Sequence, residues 1–334
     1  MLKFSGEKMG KEKIVIALGG NALLGKGEEM NDDVQYHNAA NAFGQLTTIL
    51  RDYQAVITHG NGTQVGPIYQ SLEITRKDTS DRTKDKLISD SVKMSVDYIG
   101  EILRNAYSEV NAKENIGKIP VVVPTRVLVD PEDLAFEKPT KPIGKVYSEN
   151  AALELMKQGW VLRQTIAGWR RVVSSPIPVE IIDIDAIEAL LEAKDDKGRY
   201  KFLPIAAGGG GIPVIEKEGG VLEDIEGVVD KDYASALLAI LIQANTLLIL
   251  TDVPYVYRNF RKSNQEKIEE MCINEAEQYL QEGHFEPGTM EPKVRAAILA
   301  VTNGVDRAII GSLPNAGEAF FNDKGTVIKS CLRR

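Results

Sequence analysis

Two lysines stand where a cation is unfavourable unless an anion binds beside it. Lys231 lies in the first turn of a predicted helix, in the run VVDKD, and Lys293 follows a proline at the start of another. Helix N-termini favour anions, because the backbone dipole is positive there. A bound phosphoryl group would remove this penalty and suit the point charge of an ammonium. The alternative, a solvated lysine at a frayed helix end, is weakened at Lys231 by Asp230 and Asp232.

Other roles are open to these polar residues. Asp230 and Asp232 can hold an ammonium or a magnesium ion, or one of them can simply cap a helix. Lys141 is a third candidate for phosphate binding, since it lies in the proline-braced run PTKPIG. Thr251 and Asp252 end an apolar strand, where they suit a nucleotide hydroxyl or a metal-bound water.

Three predicted strands run directly into glycine-rich turns. In open α/β sheets, ligands bind at the carboxyl ends of the strands, where glycine lets backbone amides approach a phosphate. One such cluster could be only a tight turn, but three at equivalent strand ends indicate an anion site. Neither a P-loop nor a G-x-G-x-x-G fingerprint is present, which argues against those nucleotide sites. The turns are Gly19-Gly20-Asn21, Gly60-Asn61-Gly62 and Gly208-Gly209-Gly210-Gly211.

Short apolar runs alternate with helical patterns along the whole chain, which predicts a three-layer αβα sandwich around a mainly parallel sheet. The runs are 13–18, 54–58, 119–125, 203–207, 246–251 and 306–310, and the helical segments are 38–52, 84–108, 183–194, 231–244 and 292–303. Residues 126–180, rich in proline, predict a small β-rich excursion with a hairpin turning at Ala167-Gly168. A second hairpin is expected within 211–230, and the polar run 195–201 suggests a boundary between two lobes.

Composition limits the class of protein. The net charge is −8, so general binding to nucleic acid or to anionic membrane is not expected. The N-terminus has no signal-peptide core and no run is long enough to span a bilayer. The two cysteines, Cys272 and Cys331, lack C-x-x-C spacing, which favours a reducing compartment and argues against zinc. We therefore predict a soluble cytoplasmic protein, with translation starting at Met1 or Met9.

Eight motifs, in order and covering nearly the whole chain, resemble the carbamate kinases of the amino acid kinase superfamily. They are ALGGNALL, HGNGTQVG, VDPEDLAFEKPTKPIG, GWRRVVSSPIP, GGGGIPV, VVDKDYASALLA, LTDVPYV and GHFEPGTMEPKVRAAI. The resemblance implies a homodimer with an open eight-stranded sheet. It also implies an acceptor and phosphoryl lobe at 11–200, which includes the protruding subdomain 126–180, and a nucleotide lobe at 201–334.

The same resemblance assigns roles to the candidate residues. It implies that Lys141, Lys231 and Lys293 bind the transferred phosphoryl group or the nucleotide phosphates. Asp230 and Asp232 would orient the lysines and magnesium. The acceptor and phosphoryl site would be lined by Gly19, Gly20, Asn21, Gly60, Asn61 and Gly62, and the nucleotide by Gly208, Gly209, Gly210, Thr251, Asp252 and Met290. The implied substrates are ATP or ADP with magnesium, and carbamate or carbamoyl phosphate.

Two departures from the family pattern leave alternatives open. Val96-Asp97 replaces the usual Gln-Gly, and 163–167 replaces Glu-Asp-Ala-Gly-Arg. Both changes fall in regions near the acceptor side. A second hypothesis is therefore a kinase of this fold with another small carboxylate or phosphate acceptor. A third is a catalytically silent nucleotide-binding regulator, and an NAD-dependent oxidoreductase is a distant fourth.

Overall fold

Seventeen strands and nine helices are present in the part of the chain that this computed structural model describes, residues 12–25, 27–62, 64–78, 87–165 and 168–331. The strands are β1 (Lys13–Leu18), β2 (Gln54–His59), β3 (Ile119–Val123), β4 (Arg126–Val129), β5 (Lys141–Tyr147), β6 (Leu162–Thr165), β7 (Gly168–Val173), β8 (Pro178–Ile181), β9 (Phe202–Ala206), β10 (Ile212–Lys217), β11 (Val221–Asp224), β12 (Thr246–Thr251), β13 (Val256–Arg258), β14 (Glu266–Ile268), β15 (Glu270–Cys272), β16 (Arg307–Ser312) and β17 (Thr326–Lys329). The helices are α1 (Asp32–Asp52), α2 (Val65–Asp78), α3 (Leu87–Glu114), α4 (Glu149–Lys157), α5 (Ile184–Glu192), α6 (Lys231–Leu241), α7 (Ile273–Gln281), α8 (Met290–Thr302) and α9 (Ala316–Asn322).

An eight-stranded sheet in the order β15-β17-β16-β12-β1-β2-β9-β3 forms the centre of the molecule. All neighbouring strands are parallel except β16 and β17. Along β1, Ile14 and Ile16 pack with α1 and α3, whereas Val15 and Ala17 pack with α6 and α8 on the opposite face. Burial on both faces explains why these strands are continuously apolar. The predicted αβα sandwich is confirmed.

The six apolar runs all form strands of this sheet, and the five predicted helices are present. The helix predicted at 38–52 begins earlier, at Asp32, because Asn31 caps it by accepting a hydrogen bond from the amide of Val34. Its first turns are polar, so apolar periodicity could not mark that start. Residues 84–86 of another predicted helix lie outside the described residues. Four helices, α2, α4, α7 and α9, were not predicted.

The segment 126–180 is more divided than the predicted excursion. A three-stranded sheet in the order β5-β7-β6, with α4, forms a small subdomain. However, β4 and β8 at the two ends of the segment join β10 and β11 in a separate four-stranded sheet. The hairpin predicted within 211–230 is β10-β11. The β6–β7 hairpin is also present, although Ala167 of its predicted turn lies outside the described residues.

The two cysteines form a disulfide, with 4.8 Å between their Cα atoms. The sequence did not predict this bond, and the reducing compartment stays a prediction. The residues are 59 positions apart, so local spacing gave no sign of the pairing. Cys272 ends β15 at the start of α7, and Cys331 follows β17, so the bond ties neighbouring strands of the sheet edge together.

Within the described residues, no helix is both long enough and apolar enough to cross a bilayer. Both candidate start sites, Met1 and Met9, lie outside that part of the chain. The lobe boundary near residue 200 stays a prediction. The central sheet is continuous across it, because β9 lies between β2 and β3.

Candidate active site

Lys141, Lys231 and Lys293 converge on the paired aspartates at the start of α6. The ammonium of Lys231 lies 2.5 Å from Oδ1 of Asp232, and that of Lys293 lies 3.0 Å from Oδ2 of the same carboxylate. Lys141, from β5, lies 2.8 Å from Oδ2 of Asp230. Sequence positions as far apart as 141 and 293 thus form one charged cluster. The three lysines that the sequence singled out are together.

The two aspartates have different local roles. Asp230 is the N-cap of α6, since its Oδ1 accepts a hydrogen bond from the amide of Asp232 at 2.9 Å. Asp232 is only 3% exposed and uses both oxygens to orient two lysines. The expectation that one aspartate caps the helix and that the pair orients the lysines agrees with this geometry.

Electrostatics keeps this cluster charged. Burial alone would raise the pKa of Asp232, but the ammoniums of Lys231 and Lys293 outweigh it and hold that pKa below its usual range. Burial lowers the pKa of Lys231, while Asp232 opposes the shift. For Lys293 the attraction of Asp232 outweighs burial, and the pKa is raised. Three cations against two carboxylates leave a net positive charge, which suits an anion.

The glycine turns bring the chain close to this cluster. Gly60 lies beside the stem of Lys231, 3.9 Å from its Cδ to the position of an added Cβ. The side chain of Asn61 donates to the carbonyl of Gly209 at 2.9 Å and accepts from the hydroxyl of Ser95 at 2.8 Å. A side chain at Gly209 would overlap Asn61. The second and third glycine turns are therefore interlocked.

Two cavities meet at the lysines. One, of about 400 Å³, lies towards α8 and the loop after β12, and we call it the nucleotide-side cavity. The other, of about 420 Å³, lies between the glycine turns and β5, and we call it the acceptor-side cavity. The described residues that line both are Gly20, Lys231 and Lys293. A group that passes from one cavity to the other must therefore pass these two ammoniums.

Most of the predicted site residues line one of these cavities. Thr251, Asp252, Met290 and Gly19 line the nucleotide-side cavity. The acceptor-side cavity is lined by Gly60, Asn61, Gly62, Lys141, Asp230, Asp232 and also Gly209, which was predicted to bind nucleotide. Gly208 and Gly210 are not among the described residues that line either cavity; they pack against His59 and Val229. Asn21 lies in the first glycine turn, but its side chain lies outside the described part of the structure.

Sequence reasoning missed several residues of the two cavities. Tyr257, Phe260 and Phe285 form an aromatic wall of the nucleotide-side cavity, and Arg261 adds a cation there. The run YVYRNFRK after the predicted strand end, in which aromatic and basic residues are interspersed, gave only a weak signal of this wall. On the acceptor side, Gln35, Gln64 and Arg170 were missed. Arg170 lies in the quoted motif GWRRVVSSPIP, but no role was assigned to it.

The aspartates do not fit a resident magnesium ion. Both oxygens of Asp232 and one oxygen of Asp230 contact ammonium groups, and the other oxygen of Asp230 accepts the capping hydrogen bond. Across the described residues, no group of three or more carboxylate, histidine or cysteine side chains is placed to hold a metal. Magnesium ligation by Asp230 or Asp232 therefore has no geometric support here.

The described residues of the two departures do not line the acceptor-side cavity, although Val96 belongs to an apolar cluster that includes the cavity residues Val65, Ile143 and Val228. Val96 is 2% exposed and packs in a small apolar cluster with Val92 and Ile143, while Asp97 on the next helical position is exposed. Arg163 and Gln164 are exposed on β6. None of the four is among the described residues that line the cavity. Ile166 and Ala167 of the second departure lie outside the described residues, and the rest of the two departures places no side chain in that cavity.

Comparison with known proteins gives consistent matches. Residues 12–312 match the model of the amino acid kinase family. Carbamate kinases of Thermoplasma volcanium and Thermoplasma acidophilum are 46% and 45% identical, over 95% of this chain and 99% of theirs. The structure of carbamate kinase from Giardia lamblia bound to AMP-PNP is 36% identical with a TM-score of 0.83, covering 96% of this chain and 99% of that one.

Proposed function

Because the chain belongs to the amino acid kinase family, and to the carbamate kinases within it, we propose that it transfers a phosphoryl group between ATP and carbamate. The products are ADP and carbamoyl phosphate, and ATP synthesis is the proposed physiological direction. One observation carries the proposal beyond similarity: two cavities of suitable size meet at Lys231 and Lys293. The related Giardia lamblia protein binds AMP-PNP, which supports a nucleotide in the nucleotide-side cavity.

The nucleotide base packs in this proposal against the aromatic wall of Tyr257, Phe260 and Phe285. Its phosphates point towards Lys231 and Lys293, and Thr251 and Asp252 lie within the same cavity. Gly20 provides a backbone amide beside the phosphates, whereas the amide of Gly19 already donates to the carbonyl of Leu250 at 2.9 Å. Gly208 and Gly210 then act indirectly, because they allow the third glycine turn to pack closely behind the site.

Carbamate occupies the acceptor-side cavity. One of its oxygens attacks the γ-phosphorus of ATP, the bond from that phosphorus to the bridging oxygen breaks, and the electron pair leaves on ADP. Carbamate is already an anion, so no proton has to be removed. The cavity agrees with this, since Asp230 and Asp232, the only carboxylates among its described lining residues, are paired with lysines. Transfer then depends on alignment and charge stabilisation.

Lysine substitution tests this mechanism. We expect Lys231→Met and Lys293→Met each to lower turnover in ATP formation from ADP and carbamoyl phosphate by about 10²–10³-fold. Methionine retains the apolar stem, so the loss reports the ammonium. Lys113→Met is the matched control, because Lys113 is exposed on α3 and pairs with Glu109. Near-normal turnover in either site variant would remove that lysine from the mechanism, and no ATP formation by the unmodified protein would remove the proposed function.

Several finer points rest on resemblance to carbamate kinases. We propose that magnesium enters with the nucleotide phosphates, because the aspartates are already engaged by lysines. A homodimer, a cytoplasmic location and a role in arginine or purine breakdown complete the proposal. Light scattering tests the dimer, and thiol alkylation before cell lysis tests whether Cys272 and Cys331 are bonded in that compartment.

A further inference from the structure

Arg170 lines the acceptor-side cavity from β7 of the small subdomain. Successive side chains of a strand point to opposite faces, so Arg170 and Arg171 serve different surroundings. Arg171 contacts α2 through Tyr69, whose ring centre lies 4.2 Å from its guanidinium carbon, and it lies equally close to the ring of Trp160 within the small subdomain. The strand that carries Arg170 is thereby fixed against the body of the protein by its neighbour.

The guanidinium of Arg170 has an incomplete set of partners. Its Nη2 donates to the carbonyl of Gly144 at 2.9 Å, while its buried Nε has no hydrogen-bond acceptor within the described structure. No ion pair of Arg170 occurs among the residues that the structure describes. Burial lowers its pKa without any compensating carboxylate, and an arginine still remains charged at neutral pH.

The surrounding charge favours an anionic ligand. The described lining of the acceptor-side cavity contains the cations Lys141, Arg170, Lys231 and Lys293 and the carboxylates Asp230 and Asp232. Both carboxylates are already paired with the three lysines, so Arg170 is the lining cation that contacts neither of them. A half-buried guanidinium without a carboxylate partner is stabilised when a ligand supplies the anion.

The position of Gly144 fixes the direction of the guanidinium. Gly144 has a positive φ of 67° in β5, and a side chain at Gly66 in the first turn of α2 would overlap it. This close packing of two glycines determines where the carbonyl that accepts from Arg170 can lie. The remaining donors of the planar fork have fixed directions, which is what bidentate recognition of a carboxylate requires.

We infer that Arg170 binds the carboxylate oxygens of the phosphoryl acceptor and selects for a small, planar, carboxylate-like group. This inference rests on the proposed function and adds a specificity residue to it. In the ATP-forming direction, an oxygen of ADP forms a bond to phosphorus while the bond from phosphorus to the carbamoyl oxygen breaks. The electron pair stays on that oxygen, so charge develops on the carbamate end. Arg170 is opposite in charge to the group that it receives.

Steady-state kinetics of ATP formation tests the inference. We expect Arg170→Ala to lower kcat/KM for carbamoyl phosphate by about 10²-fold, with the KM for ADP within about twofold of that of the unmodified enzyme. Arg170→Lys retains the positive charge but loses the planar pair of guanidinium donors. Its kcat/KM for carbamoyl phosphate should lie between that of Arg170→Ala and that of the unmodified enzyme. Guanidinium ion added to Arg170→Ala should restore part of the lost activity, which a purely structural role would not allow.

Arg163→Ala is the matched control. Arg163 lies opposite Arg170 in the β6–β7 register, carries the same charge, and is exposed outside the cavity. An equal loss in Arg163→Ala would mean a general field effect and would overturn the inference, as would an unchanged KM and kcat for carbamoyl phosphate in Arg170→Ala. If the unmodified protein binds ADP but makes no ATP, the proposed function itself fails. Circular dichroism and the KM for ADP establish that the variants are folded.

Discussion

His59 should make the stability of this protein fall as the pH is lowered towards 4. The imidazole lies at the end of β2 beneath the lysine cluster and is 1% exposed. Its Nδ1 lies 2.8 Å from the carbonyl of Gly60, which can only accept, so Nδ1 carries the proton of the neutral ring. Burial lowers the pKa of His59, the bond to Gly60 opposes this, and the charge of Lys231 lowers it further, to about 4.

The direction of this pH effect on stability follows from the pKa of His59 in the unfolded and in the folded protein. In the unfolded chain the pKa is 6.5, so between 6.5 and 4 the unfolded state binds a proton that the folded state does not. Stability from this residue is therefore complete above pH 6.5 and is lost as the pH falls towards 4. At about pH 4.5 the expected loss in the free energy of unfolding is about 2.5 kcal/mol relative to about pH 7.

Urea unfolding at these two pH values measures the effect, with His59→Asn as the comparison. Asparagine can donate to the Gly60 carbonyl but does not titrate. The aspartates whose pKa values are lowered are common to both proteins, so the difference between their acid-induced losses isolates His59. Equal losses in the two proteins would refute the reasoning, because the buried imidazole would then not resist protonation.

Two further predictions concern the sheet edge and the nucleotide-side cavity. Cys331→Ser should lower the free energy of unfolding by up to about 4 kcal/mol, because the disulfide closes a long loop. Urea unfolding of the variant and of the oxidised unmodified protein measures the difference. Equal stability would mean that the bond hardly constrains the unfolded chain. Phe260→Ala should raise the KM for ADP by about tenfold without changing that for carbamoyl phosphate, because an aromatic wall is lost. Phe321→Ala, exposed and outside the cavity, is the control, and a shift in both constants would contradict the assignment of the two cavities.

Sequence patterns predicted the central sheet well because its strands are buried on both faces and read as unbroken apolar runs. The lysines could be found because a cation at a helix start, such as Lys231, departs from the preference of helix N-termini for anions. Such a departure indicates a ligand. Arg170 and Phe260 obey local rules. Only the tertiary fold brings them to a cavity, so their types and spacing carried too weak a signal.

The disulfide and the second sheet were missed for a different physical reason. Both depend on pairing between distant segments, such as β4 with β10 or Cys272 with Cys331. Edge strands β13, β14 and β15 are only three residues long, and so short a run has no measurable periodicity. The sequence therefore predicted those strands and helices whose local residue pattern and tertiary environment favour the same secondary structure.

The place of β9 in the sheet has a consequence for synthesis on the ribosome. β9 separates β2 from β3, and β1 lies between β2 and the much later β12. When the first 200 residues have emerged, β3 therefore has no neighbouring strand in the central sheet, and one edge of β1 stays open until residue 251 is available. Neither half can complete its hydrogen bonding alone. The central sheet can therefore be completed only late in synthesis, and we expect fragments cut near residue 200 to fail to fold separately.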